Sequence, residues 1–134
     1  MTDAKGKKIL IIDDEKSIRT YLETLLQDNG YETVTANDGI EGMEKVNSEK
    51  PDLVALDISM PEQSGVRCYR DIKENSETTS LPVIIVTGVT GWGGKPEEFQ
   101  KFISSRKQIP PPDGFIAKPI DQEEFLAAVA KVLV

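Results

Sequence analysis

Short apolar runs alternate along this chain with longer stretches in which apolar residues recur three and four positions apart. Lys8-Ile-Leu-Ile-Ile-Asp13 is too short for a helix and rich in β-branched residues, which predicts a strand. Ile18, Tyr21, Leu22, Leu25 and Leu26 then follow helical spacing, and Gly30 supplies the stop. Thr33-Val-Thr-Ala36 predicts a second, weaker strand, and Asp38 an N-cap for a helix that turns Ile40, Met43 and Val46 inward. Pro51 punctuates before a third strand, Asp52-Leu-Val-Ala-Leu-Asp57. A loop through Met60, Pro61 and Gly65 leads to a helix with Val66, Tyr69 and Ile72 on one face. Pro82-Val-Ile-Ile-Val-Thr87 and Gly114-Phe-Ile-Ala117 predict the last two strands. The final helix opens with Asp121 and Glu124 at capping-box spacing and buries Phe125, Leu126, Val129 and Val132.

Strands that alternate with helices imply a parallel sheet covered on both faces, because parallel strands need crossover connections. The continuous apolar runs of strands one, three and four suit burial on both sides. The expected fold is α/β, a five-stranded parallel sheet wound in both directions. Such sheets bind ligands beyond the carboxyl ends of the strands, at the topological switch point.

The 134 residues fit one domain over 1–134, with a polar tail at 1–7 and an extended segment at 88–113. That segment runs from a glycine-rich stretch containing Trp92, through Pro96 and a short helix with Phe99, Phe102 and Ile103, to Pro110, Pro111 and Pro112. It is no P-loop: Gly94-Lys95 would need glycine where Val89 stands and Ser or Thr where Pro96 stands.

Composition narrows the chemistry. There is no histidine, which removes Ser-His-Asp catalysis, imidazole zinc sites and any role as phosphohistidine donor. Cys68 is the single cysteine, so neither an internal disulfide nor a thiolate metal cage can form, and a small buried apolar role is expected for it. A net charge of −7 argues against direct nucleic-acid binding. No apolar run approaches the ~18 residues of a membrane span, and no signal-type stretch precedes the first strand, so a cytoplasmic protein is expected.

The strand ends carry the candidate site. Strand one ends in Asp13-Asp14, strand three in Asp57, strand four in Thr87, and strand five runs into Lys118-Pro119. Each residue taken alone has an ordinary use in a cap, turn or solvated surface. Together they would bring three carboxylates, a hydroxyl and an ammonium to one edge. Carboxylates so crowded call for a cation, and an oxygen-only set suits Mg²⁺ or Mn²⁺. The lysine and threonine would then meet a phosphoryl group.

Asp13-Asp14, Asp57-Ile-Ser-Met60-Pro61 with Gly65, Thr87-Gly88 and Lys118-Pro119 resemble, in order and over essentially the whole chain, the receiver domains of response regulators. The resemblance implies a flavodoxin-like (βα)5 sandwich and a phosphorylation-activated switch, not an enzyme acting on external substrates. It implies Asp57 as phosphoacceptor, with Asp14, Asp57 and the Ser59 carbonyl on the ion and Asp13 holding it through water. Lys118 and Thr87 would take phosphoryl oxygens, and Phe115 would be the aromatic that moves with Thr87. The implied partners are a histidine kinase or histidine phosphotransfer protein and an unknown output protein. The 88–113 segment, part of the surface receivers use for output, is longer than receivers usually have, so no output partner is carried over from the family.

Two other classes fit parts of the pattern. A flavin or small-molecule module would use the fold but leave Asp13, Asp14, Asp57 and Lys118 idle. A metal-dependent phosphatase would need a second carboxylate two residues after Asp57, where Ser59 stands. Within the receiver reading, the chain is either a stand-alone receiver or a part of a longer regulator.

Overall fold

The computed structural model describes residues 6–58, 64–87 and 112–133, the side chains of Ser64, Val66 and Thr87 excepted. The expected tail up to residue 5, the loop through Ser59, Met60 and Pro61, and the segment 88–111 with Trp92 and the short helix lie outside the described residues. The elements are β1 (Lys8–Ile12), α1 (Lys16–Asp28), β2 (Glu32–Ala36), α2 (Gly39–Glu49), β3 (Leu53–Asp57), α3 (Ser64–Glu74), β4 (Val83–Thr87), β5 (Gly114–Ala117) and α4 (Gln122–Leu133). Each predicted strand is present within a residue of its expected bounds.

All five strands are parallel, in the order β2-β1-β3-β4-β5. The chain winds one way from β1 to β2 and the other way from β3 onward, so the switch point lies between β1 and β3. Ile12 pairs with Leu56, Asp57 with Val86, and Thr87 with Ala117, which aligns the carboxyl ends of β1, β3, β4 and β5 along one edge.

Successive strand residues point to opposite faces, and both faces are roofed. Leu10, Ile12, Val54, Leu56, Val83 and Ile85 pack with Val46 of α2 and with Cys68, Tyr69 and Ile72 of α3. Ile9, Ile11, Leu53, Ala55, Ile84 and Val86 pack with Leu22, Leu25 and Leu26 of α1 and Phe125 and Val129 of α4. This is why β1, β3 and β4 are nearly continuously apolar rather than alternating. Cys68 is buried as expected, and burial pushes its thiol up to about 12, so it is a packing group and not a nucleophile. No helix of the described residues is long and apolar enough to cross a membrane.

The caps act where the residue types predict. Gly30 N–H donates to Gln27 O (3.1 Å) and Tyr31 N–H to Leu26 O (3.1 Å), the paired bonds that satisfy the end of α1. Asp38 Oδ1 accepts from Glu41 N–H at 2.8 Å, and Glu41 Oε1 accepts in return from Asn37 N–H at 2.8 Å. Removing the cap in Asp38→Ala is expected to cost about 1 kcal/mol, read as a lower urea midpoint at unchanged slope.

Two apolar residues depart from expectation. Tyr21 is 41% exposed, because α1 seats on Leu22, Leu25 and Leu26, and Tyr21 lies about 100° around the helix from its neighbour Leu22. Ile40 is 77% exposed, not inward. The face α2 turns to the sheet is Gly39, Gly42 and Val46, and a Cβ on Gly42 would collide with Ile12. That close approach on glycine rotates Ile40 out to solvent.

Candidate functional site

Asp13 follows β1 directly and is fixed from several sides. Its N–H continues the ladder to Ala36 O (3.1 Å), its Oδ1 accepts from Glu15 N–H (2.9 Å), and its carbonyl accepts from the Arg19 guanidinium (2.7 Å). Asp57 is the last residue of β3, held in register by Val86, and the next N–H, of Ile58, donates to Val86 O at 3.1 Å. Lys118 follows β5 and is joined to Pro119 by a cis bond.

These strand ends converge. Asp13, Asp14 and Asp57 can each offer an oxygen within 4.8 Å of the others, with Asp13 and Asp57 buried and Asp14 exposed. Lys118 Nζ stands 3.2 Å from Asp13 Oδ2, 3.4 Å from Asp57 Oδ2 and 3.4 Å from Glu15 Oε1. The structure therefore brings Asp13, Asp14, Asp57 and Lys118 together. Thr87 ends β4 at the same edge, next to Ala117. Phe115 is half-buried on β5, packed against the cluster beneath α2 and α3. Ser59 lies outside the described residues.

The electrostatics follow from burial and crowding. The Asp13 carboxyl is pushed up from 3.8 to about 6, chiefly by burial, with the Asp57 charge adding. The bond from Glu15 N–H and the Lys118 charge oppose that rise without cancelling it. Burial works against the Lys118 ammonium, but Asp57 and Asp13 outweigh it and hold its pKa above the ordinary value.

A raised carboxyl pKa means that the folded protein binds this proton more tightly than the unfolded chain. The contribution of Asp13 to stability is therefore fully present below about pH 3.8 and lost as pH rises through about 6. Metal-free protein is expected to gain stability from this group between about pH 7 and about pH 5, and Asp13→Asn to flatten that dependence. Thermal melts in a chelator across that range are the check.

Asp13 Oδ2 is buried, and among the described residues its polar contact is the ion pair with Lys118 Nζ at 3.2 Å. Such an oxygen has coordination capacity to spare. With two more carboxylates in reach and no imidazole or thiolate beside them among the described residues, the residues fit a hard divalent cation such as Mg²⁺ or Mn²⁺.

Sequence reasoning missed Glu15 and Arg19. Glu15 directly follows the acidic pair, which was a usable signal. Arg19 acts on a backbone carbonyl, for which side-chain types carry no signal.

The family model for the response regulator receiver domain matches residues 9–130. PilG of Pseudomonas aeruginosa is 34% identical over 124 residues, covering 92% of this chain and 85% of that protein. The alkaline phosphatase synthesis transcriptional regulatory protein PhoP of Bacillus subtilis is 34% identical over 128 residues, covering 96% of this chain but 49% of its own length. The chain thus spans about half of that relative. Among solved structures, the chemotaxis protein CheY4 of Vibrio cholerae superposes with a TM-score of 0.79 at 28% identity, covering 96% of this chain and 99% of that one. With its five parallel strands and the acidic edge between β1 and β3, the chain belongs to the response regulator receiver domains of two-component signalling.

Proposed function

We propose that this receiver accepts a phosphoryl group on Asp57 from the phosphohistidine of a kinase or phosphotransfer protein, in a reaction that needs Mg²⁺ or Mn²⁺. The observation that carries this reading is the meeting of Asp13, Asp14 and Asp57 with the Lys118 ammonium at the switch point. A flavin module has no use for that cluster, and a phosphatase acting on external substrates lacks the second carboxylate, since Ser59 stands two residues after Asp57.

A carboxylate oxygen of Asp57 attacks phosphorus; the new O–P bond forms as the N–P bond to imidazole breaks, and that electron pair returns to the ring nitrogen. Asp14 and Asp57, with the Ser59 carbonyl, would hold the cation directly and Asp13 through water. Bound there, the cation neutralises the carboxylates and the charge on the phosphoryl oxygens. Lys118, already beside Asp57, needs only to shift its ion pair from carboxylate to a phosphoryl oxygen. Thr87, on the adjoining strand end, would donate its hydroxyl to another.

The product is a switch. The added charge draws Thr87 and Lys118 toward Asp57 and biases the β4–β5 edge, where Phe115 would follow Thr87. Moving such an equilibrium from 1:99 to 99:1 takes roughly 5.5 kcal/mol of differential stabilisation. The setting we propose is the cytoplasm, with an output protein reading that edge.

The test uses phosphoramidate, a small donor with the same N–P bond. The receiver should gain one phosphoryl group, and hydroxylamine at neutral pH should remove it, as it does from an acyl phosphate. A hydroxylamine-resistant adduct would place the group on a hydroxyl and overturn the reading.

A further inference from the structure

We propose that Glu15 is a positioning residue that tethers the Lys118 ammonium and so restrains phosphoryl acceptance from small anionic donors. The inference rests on the function proposed above and adds to it. Lys118 Nζ is shared by three carboxylates, but they are not equivalent. Asp13 and Asp57 belong to the cluster that fits a cation, and Glu15 does not. Once a cation shares the charge of Asp13 and Asp57, Glu15 is the counter-charge left to Lys118 among these three.

The placement of Glu15 is specific. It is the N-cap residue of α1, yet its side chain makes no capping bond. Its N–H is held by Asp13 Oδ1 at 2.9 Å, and its carbonyl accepts from Arg19 N–H at 3.0 Å, so its backbone is anchored at the site. The carboxylate makes no cap and reaches the Lys118 ammonium at the end of β5 instead.

Two consequences follow. Lys118 must leave Glu15, wholly or in part, to meet a phosphoryl oxygen, and Glu15 itself repels an anionic donor. Glu15 is 60% exposed, so solvent and salt screen both effects. The tether is therefore expected to change rates by about two- to five-fold rather than by orders of magnitude.

The experiment is a double-mutant cycle with wild type, Glu15→Gln, Lys118→Met and the pair. It reads the rate of acetyl phosphate labelling at subsaturating donor and the Mg²⁺ dissociation constant. Glu15→Gln should label about two- to five-fold faster than wild type, and the gain should be clearly smaller when Lys118 is absent, because only the repulsion of the donor is then relieved. In Glu15→Gln the ammonium falls back on Asp13 and Asp57 and competes with the cation there. Mg²⁺ binding should weaken by a similar factor, and by clearly less where Lys118 is absent.

An unchanged rate in Glu15→Gln, or an equal gain with and without Lys118, overturns the tether while wild-type labelling leaves the receiver chemistry standing. Wild type that takes no phosphoryl group sinks the receiver chemistry and the tether's effect on acceptance together. The Mg²⁺ half of the cycle reads the Glu15–Lys118 coupling without turnover, and no coupling there contradicts the proposal.

Discussion

Replacing Lys118 by methionine should slow phosphorylation of Asp57 by acetyl phosphate by ~100-fold or more, the usual cost of losing one charged stabiliser of a transition state. The same change should have two effects on unphosphorylated protein, which separate the electrostatic role from simple damage. Lys118 Nζ lies within 3.4 Å of both Asp13 and Asp57, whose side chains are 2% exposed. Without the ammonium these buried carboxylates lose their counter-charge. Asp13, with its carboxyl already near 6, can escape part of the cost by taking a proton. A loss of about 1–3 kcal/mol near neutral pH is therefore expected, less than for a buried pair that cannot protonate. Mg²⁺ should repair it, because removal of a competing cation tightens metal binding and ligand binding stabilises the folded state. Urea titrations with and without Mg²⁺ measure the loss and its recovery. If Mg²⁺ bound more weakly to Lys118→Met, the picture of two cations sharing one acidic site would be wrong.

Gly65→Ala should both destabilise the domain and disable the phosphoacceptor, although residue 65 carries no functional group. A Cβ at Gly65 would collide with the Asp57 carbonyl oxygen and lie 2.6 Å from Ile58 Cα and 3.0 Å from Asp57 C. Every one of these atoms is backbone, so no side chain can turn aside. Either α3 lifts from the sheet or the end of β3 moves, at a cost of about 1–3 kcal/mol. Movement of β3 displaces Asp57 itself, and a shift near 1 Å can lower a rate about 100-fold. The expected result is a lower melting temperature together with a labelling rate well below wild type under conditions where the variant is folded. Wild-type labelling in a destabilised variant would show that α3 yields and the site does not.

Most of the fold was legible because its signals are local. Short apolar runs punctuated by Gly, Pro and Asp mark every strand but the weaker, threonine-containing β2, and the caps at Gly30 and Asp38 act at the positions that residue type selects. The site was legible for a different reason. A parallel sheet sends every strand end to one edge, so Asp13, Asp14, Asp57 and Lys118 meet once the alternation of strands and helices is recognised. What the sequence hides are features set by the distance between elements. Ile40 faces solvent because α2 approaches the sheet on Gly39 and Gly42, and a helical pattern read alone turns it inward. Glu15 and Lys118 are 103 positions apart, and their contact depends on where α1 begins relative to the end of β5. The Arg19 bond to the Asp13 carbonyl is likewise a matter of backbone placement, which no choice of residue type announces.

The most direct measurement is the intact mass of wild type and Asp57→Asn after incubation with acetyl phosphate, each with Mg²⁺ and with a chelator. One added phosphoryl group is expected in wild type with Mg²⁺, and none in the other three samples. Labelling of Asp57→Asn, or equal labelling of wild type in chelator, would contradict the assignment of Asp57 as a metal-dependent phosphoacceptor.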